Sequence, residues 1–211
     1  MTNQKEIHMI GIVDYNMGNL ASVINAFAKV GVDATLESDP TKLDQYDKLI
    51  LPGVGAFGDA MEHLKSNGMD EAVMTYAKSG KPLLGICLGM QLLFESSEEF
   101  GSHKGLGLIP GKVVAFDESK FDHPQKVPHM GWNELFVQEE TALFSELKKD
   151  FYLYFVHSYH AVCDDKYAIG KTHYGYEFVS AVQNDNIYGI QPHPEKSHEN
   201  GLQIIENFAK L

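Results

Sequence analysis

Apolar positions in the first half of the chain alternate between two rhythms. Ile7 to Val13 is a continuous apolar run of strand length. It gives way to Leu20, Val23, Ile24, Phe27 and Val30, the spacing of a helix with one buried face. Gly31 follows as a C-cap. Asp33 to Glu37 and Lys48 to Leu51 read as further strands, the second closed by a Pro-Gly turn. Ala56 to Lys78 has helical spacing, with a break at Asn67-Gly68. Lys81 to Ile86 is a fourth strand, and Leu88 to Phe94 opens another helix. Strands joined by helix-length segments pair in parallel through right-handed crossovers.

The second half has a different pattern. Val113 to Phe116, Phe151 to Val156, Glu177 to Gln183 and Ile187 to Gln191 read as strands with short connections, which predicts antiparallel additions. Gly201 to Leu211 is a closing helix with Leu202, Ile205 and Phe208 on one face. The expected class is α/β: an open, largely parallel, flavodoxin-like sheet with helices on both faces and antiparallel strands added in the second half. No repeat, low-complexity segment or linker interrupts it, so residues 1–211 read as a single domain. Such sheets bind ligands beyond the carboxyl ends of their strands. Asp14-Tyr15-Asn16, Pro52-Gly53-Val54-Gly55 and the turn at Cys87 are expected together on that edge.

Composition narrows the choice by exclusion. At 44% hydrophobic and 22% charged residues, the chain has ordinary globular character. No apolar run approaches the roughly 20 residues that span a bilayer, and Met1 to Glu6 is polar without a signal-peptide pattern. A cytoplasmic protein with no membrane partner is expected. A net charge of −12 leaves no basic footprint for nucleic acid. Cys87 and Cys163 are the two cysteines, too few for a disulfide framework, so either is open to a chemical role.

Context separates them. Cys87 lies in Gly85-Ile86-Cys87-Leu88-Gly89, between a buried strand and a helix. This is the cysteine counterpart of the Gly-x-Ser-x-Gly nucleophile elbow. Small neighbours permit the sharp turn, and a helix N-terminus favours the thiolate, so a lowered pKa is expected there. The alternative is a buried structural cysteine among closely packed glycines. Cys163 sits in a polar stretch and reads as structural or incidental.

A thiolate nucleophile needs an imidazole partner. His193 stands out in Gln191-Pro192-His193-Pro194-Glu195-Lys196, after a strand-like run. In an extended backbone held by its prolines, His193 and Glu195 share one face, and the carboxylate orients the ring. The competing reading is a surface loop. His157, His160, His193 and His198 match no compact zinc-ligand spacing, so no metal is expected. Acyl transfer also needs donors for an oxyanion. The Leu88 amide is one candidate, and the Val54–Gly55 loop offers the second. The same glycines lack the Lys-Ser/Thr ending of a phosphate-binding loop, and no cofactor is expected.

The Gly85 to Gln91 stretch with His193-Pro194-Glu195 resembles the class I, or triad, glutamine amidotransferases. Leu51 to Phe57, Gly105 to Gly111 and Val127 to Asn133 narrow the resemblance to the glutaminase subunits of imidazole glycerol phosphate synthases, over nearly the whole chain. Asp14 to Asn19 and Phe155 to Tyr159 fit as well. The resemblance implies hydrolysis of glutamine to glutamate and ammonia through a cysteinyl thioester. The ammonia would pass to a separate (β/α)₈ cyclase, the two chains forming a heterodimer. It implies that Gly53, Gln91, Ser158 and Tyr159 hold glutamine, with Gly55 close by. Asn16, Asn19, Met130, Trp132 and Lys196 would face the cyclase. Without the resemblance, Tyr159 and Met130 read as core, Trp132 as the cap of a cluster and Lys196 as solvated. Pro192 departs from the family, which carries Phe before His-Pro-Glu. Rival readings are the glutaminase of another complex, such as pyridoxal phosphate synthase, a cysteine peptidase, and a flavodoxin-like binding module without catalysis.

Overall fold

The computed structural model describes residues 9–211. Met1 to Glu6, and the Ile7 and His8 that open the predicted first strand, lie outside the described residues. The chain runs β1 (Ile10–Val13), α1 (Leu20–Lys29), β2 (Ala34–Glu37), β3 (Lys48–Leu51), α2 (Phe57–Ser66), α3 (Met69–Lys78), β4 (Leu83–Ile86) and α4 (Leu88–Leu92). It continues through β5 (Phe94–Ser97), β6 (His103–Lys104), β7 (Ile109–Ala115), β8 (His129–Val137), β9 (Asp150–His157) and β10 (Tyr159–Val162). It ends with β11 (Ala168–Tyr174), β12 (Tyr176–Asn184), β13 (Ile187–Ile190) and α5 (His198–Lys210).

Among the described residues, thirteen strands join in one sheet. Its first wing has the order β2-β1-β3-β4-β13 and is parallel throughout. That is the doubly wound order expected of a flavodoxin-like sheet. Side chains alternate across it. Val13, Leu49, Leu51 and Leu83 pack with α2 and α3, while Ile10, Ile12, Ile50, Leu84, Ile86 and Ile190 pack with α1 and α5. Helices therefore cover both faces. Each wholly buried aliphatic side chain contributes about 1.5–3 kcal/mol to this arrangement.

Beyond β13 the wing becomes mostly antiparallel. β12, β10 and β7 follow in order, and β11, β8 and β9 branch from β12. β13 corrects one expectation. It is antiparallel to β12, as an addition would be, but parallel to β4. All four of its residues are buried, the pattern of a central strand in a parallel sheet. β13 therefore delivers the following residues, 191–195, to the edge where β1, β3 and β4 end.

A second correction concerns Leu88 to Phe94. The helix stops at Leu92, and Phe94 opens β5. The carbonyls of Leu92, Leu93 and Phe94 accept the N–H groups of Leu106, Leu108 and Gly107, at 2.9, 2.8 and 3.0 Å. Those acceptors serve a neighbouring segment rather than a next helical turn. β5, β6, β8, β10 and β11 were not legible as strands. In α5, Gly201, Ile204, Ile205 and Phe208 form the buried face, with Leu202 half-buried beside it.

Candidate active site

The turn at Cys87 is a consequence of packing. β4 is buried between β3 and β13, and α4 folds back directly above it. A Cβ at Gly85 would stand 2.6 Å from the Gly89 carbonyl oxygen, and one at Gly89 only 1.8 Å from that of Leu51. Both positions therefore require glycine. Between them Cys87 takes φ 54° and ψ −112°, a conformation that side-chain-bearing residues avoid at a cost of about 1–3 kcal/mol. Its N–H is held by the Ile190 carbonyl at 2.8 Å. α4 has only five residues, so the amide field behind the sulfur is that of little more than one turn.

His193 and Glu195 meet, but not along an extended run. His193 is extended, whereas Pro194–Lys196 forms a 3₁₀ turn with Pro194 at its first position, where a fixed φ favours the turn. That turn brings Glu195 Oε1 to 2.7 Å from His193 Nδ1, with both side chains buried. β9 anchors His193. The His193 N–H donates to the Tyr154 carbonyl at 2.9 Å. The Ser197 hydroxyl donates to the His193 carbonyl at 2.6 Å and accepts the Tyr154 N–H at 2.9 Å. Burial disfavours charge on His193, but the neighbouring Cys87 sulfur and the Glu195 carboxylate outweigh it and push the imidazole up to about 10. Among the described residues, His193 Nε2 has no hydrogen-bond partner. It is the ring nitrogen left free for a reacting atom.

Cys87 and His193 open into a cavity of about 280 Å³. Val54, Gly55, Leu88, Gln91, Ser158, Tyr159 and Lys196 line it too, so most of the residues singled out in the sequence converge there. Leu88 N–H belongs to the first turn of α4, where amides lack intrahelical acceptors. Glu195 stands behind His193 rather than in the wall. Gly53 is not among the lining residues. Its backbone is wedged against the elbow, where a Cβ would lie 2.7 Å from the Tyr15 hydroxyl and 3.0 Å from Gly89 N. Tyr15 in turn donates to the Pro52 carbonyl at 2.8 Å, tying the β1 and β3 loops together.

Four residues of the site escaped the sequence reading. Gln191 Nε2 donates to Cys87 Sγ at 3.7 Å, while its Oε1 accepts from Gln91 Nε2 at 3.0 Å. Its signal was its place at the end of a buried strand, just before the Pro-His-Pro-Glu stretch. Val156 and His157 line the wall from β9. Glu99 faces the cavity from the β5–β6 loop and accepts the Phe57 N–H at 2.7 Å. Burial raises its pKa, opposed by the Phe57 amide. A Ser-Ser-Glu-Glu run carries no signal to set Glu99 apart from a solvated face.

Asn16, Asn19 and Lys196 are exposed around the same edge, as are Met130 (62%) and Trp132 (46%). Met130 is thus not core. Trp132 stacks on His198, with ring centres 5.0 Å apart and planes 3° from parallel. The remaining cysteine is different in kind. Burial, then Asp165 and Asp164, push the Cys163 thiol up to about 11, which keeps it protonated.

Comparison with known proteins agrees with this geometry. The family model described as glutamine amidotransferase class-I matches residues 11–211. The imidazole glycerol phosphate synthase subunit HisH of Sulfurimonas denitrificans is 71% identical over 203 residues, covering 96% of this chain and 98% of that one. The subunit of the same name from Wolinella succinogenes is 57% identical, covering 96% and 100%. The solved structure of PurLQS from Thermotoga maritima superposes with a TM-score of 0.76 at 22% identity, over 96% and 98% of the two chains. At that identity the likeness speaks for the fold alone.

Proposed function

The chain belongs to the class-I glutamine amidotransferase family, and from that premise we propose that Cys87, His193 and Glu195 are its catalytic triad. It acts as a glutaminase of histidine biosynthesis, serving an imidazole glycerol phosphate synthase. Glutamine is the substrate and a separate cyclase the partner. The observation that carries the residue assignment is the convergence of a strained elbow cysteine and a carboxylate-held imidazole on one amino-acid-sized cavity.

The chemistry follows from the geometry. The Cys87 thiolate attacks the glutamine carboxamide carbon, and charge moves to the carboxamide oxygen. The Leu88 amide and the Val54–Gly55 loop receive that oxyanion, each such donor contributing roughly 3–4 kcal/mol. The C–N bond then breaks as His193 Nε2 gives its proton to the departing nitrogen, and ammonia leaves a glutamyl thioester. Neutral His193 next removes a proton from water. The hydroxide adds to the thioester carbon, the C–S bond breaks, and glutamate, thiolate and imidazolium are restored. Glu195 holds Nδ1 throughout. Splitting amide hydrolysis in this way replaces one difficult step by two easier ones.

Gln91, Ser158 and Tyr159 hold the substrate, and Gly53 contributes by letting the loop approach. Glu99 is the carboxylate that meets the α-ammonium group: it faces the cavity, and burial raises its pKa in spite of the Phe57 amide and His103, so a further cation beside it favours its charged form. Asn16, Asn19, Met130, Trp132 and Lys196 face the cyclase. Ammonia released into neutral water is mostly protonated and inert as a nucleophile, so direct transfer is required. This reading takes residues 1–211 as one domain, in a cytoplasmic heterodimer with a (β/α)₈ cyclase and without nucleic-acid or membrane partners. Among the described residues no helix is long and apolar enough to cross a membrane.

The test is ammonia and glutamate release from glutamine, with and without the cyclase and its acceptor ligand. Partner-stimulated release that drops about 10⁴-fold or more in Cys87→Ala is expected. A formed complex that turns over no glutamine, or a Cys87→Ala variant that keeps its activity, would falsify the assignment.

A further inference from the structure

We propose that His129 and His157 are positioning residues for glutamine hydrolysis, in a hydrogen-bond network that runs from the β8–β9 hairpin to the Tyr159 carbonyl and on from there through Gln91 and Gln191 to the Cys87 sulfur. The proposal rests on the glutaminase reading of the same cavity. β8 and β9 pair with His129 opposite His157. Both imidazoles point inward and are buried, whereas Met130 and Trp132 on the same strand point outward. One strand thus carries the exposed apolar pair and the start of the chain.

Every proton in the chain is fixed by backbone groups, whose roles are not free to change. Asn133 Oδ1 accepts the Glu134 N–H at 2.8 Å. Its amide nitrogen therefore donates to the His173 carbonyl at 2.9 Å and to His129 Nε2 at 3.1 Å. At the other end His157 Nδ1 lies 2.8 Å from the Tyr159 carbonyl, so that nitrogen carries a hydrogen. Burial lowers His129 to about 4 and His157 well below its ordinary value, so each ring carries one proton. His157 Nε2 is then an acceptor, and His129 Nδ1, 2.9 Å away, must donate to it. The Tyr159 carbonyl also accepts from Gln91 Nε2 at 3.0 Å. The second Gln91 hydrogen goes to Gln191 Oε1 at 3.0 Å, which leaves Gln191 Nε2 to donate to Cys87 Sγ at 3.7 Å.

The chain specifies the Nδ1–H tautomer at both histidines, whereas free imidazole side chains favour Nε2–H. Its rings cannot turn away. His129 is stacked between Tyr174 at 4.0 Å and Phe155 at 4.7 Å. His157 lines the cavity wall. Removing the His157 hydrogen bond leaves the Tyr159 carbonyl, and through it Gln91, free to take other orientations. The loss should fall on binding of glutamine.

Packing and hydrogen bonding make opposite predictions at position 129. Phenylalanine keeps the stack but carries no N–H; asparagine loses the stack but offers an N–H near the Nδ1 position. In the complex with the cyclase, His129→Phe is expected to raise KM for glutamine about tenfold with kcat within about threefold, while His129→Asn stays within about threefold of wild type in KM. A wild-type KM in His129→Phe, or equal impairment of both variants, overturns the proposal. A second measurement needs no variant. Nitrogen NMR of the wild-type imidazoles should find both His129 and His157 protonated at Nδ1, and an Nε2–H tautomer at either one overturns it. Failure of the glutaminase reading itself would appear separately, as a wild-type complex that releases no ammonia.

Discussion

The two wings of the sheet build one cavity by different means. The parallel wing contributes backbone. β3, β4 and β13 end at a common edge, and Cys87 is set there by steric exclusion, with Gly85 and Gly89 leaving it a single path. The antiparallel wing contributes side chains and hydrogen bonds. Ser158, Tyr159 and His157 form a wall, and Tyr154 anchors the backbone of His193. Parallel strands joined by crossovers all point one way, so their loops gather without further instruction. Antiparallel hairpins have no such convergence and reach the site by lateral contact. The two cysteines show the same difference. Cys87 sits on the strained elbow beside an imidazolium, whereas Cys163, just past β10, is half-buried near two aspartates and stays a thiol.

Changes that attack the backbone should therefore cost more than changes to the wall or the rim. Gly89→Ala puts a Cβ against the Leu51 carbonyl, and a loss of about 3 kcal/mol in denaturant unfolding is expected. A midpoint equal to wild type would mean that the elbow has slack the geometry denies. Glu195→Gln spares the backbone but removes the carboxylate from His193, and glutaminase kcat is expected to fall about 10²-fold. The same variant has a pH signature. The folded-state pKa of His193 is raised from 6.5 to about 10, so the stability its charge contributes is complete below about 6.5 and lost as pH rises through about 10. Without Glu195 the loss moves to lower pH, which an NMR titration of the His193 ring reads directly. An unmoved titration would leave Glu195 no part in holding the charge.

The rim of the antiparallel wing should matter only to the partner. Trp132→Ala is expected to weaken cyclase binding about tenfold by calorimetry, with the unfolding midpoint little changed. Unchanged affinity would remove the β8–β9 hairpin from the interface. Cys163→Ser should alter partner-stimulated turnover by less than about twofold. A larger loss would break the distinction between the two cysteines.

Local patterns already carried β1 to β4 and the helices between them. The alternation of strand-length and helix-length apolar runs, the break at Asn67-Gly68 and the Gly-x-Cys-x-Gly spacing are short-range signals, and short-range sterics produced what they predicted. The pairing of His193 with Glu195 was legible too, although the 3₁₀ turn that achieves it was not. β8 and β10 were hidden because their partners lie well away along the chain, and β5 because the 106–108 amides capture the carbonyls that would have extended α4. Gln191, Glu99 and His157 were hidden for the same reason. An acidic residue in a polar run and one histidine among ten carry no local mark of the cavity they face, and the place of Gln191 at the end of a buried strand says nothing of the sulfur it reaches. Glycine spacing and apolar period act over a few residues, so they were enough to mark the elbow at Cys87, the His193–Glu195 pair and the scaffold of β1 to β4, but not the parallel place of β13. Only the tertiary structure decided which polar side chains complete the site, because hydrogen bonds across up to 104 residues exist only once the wings have met.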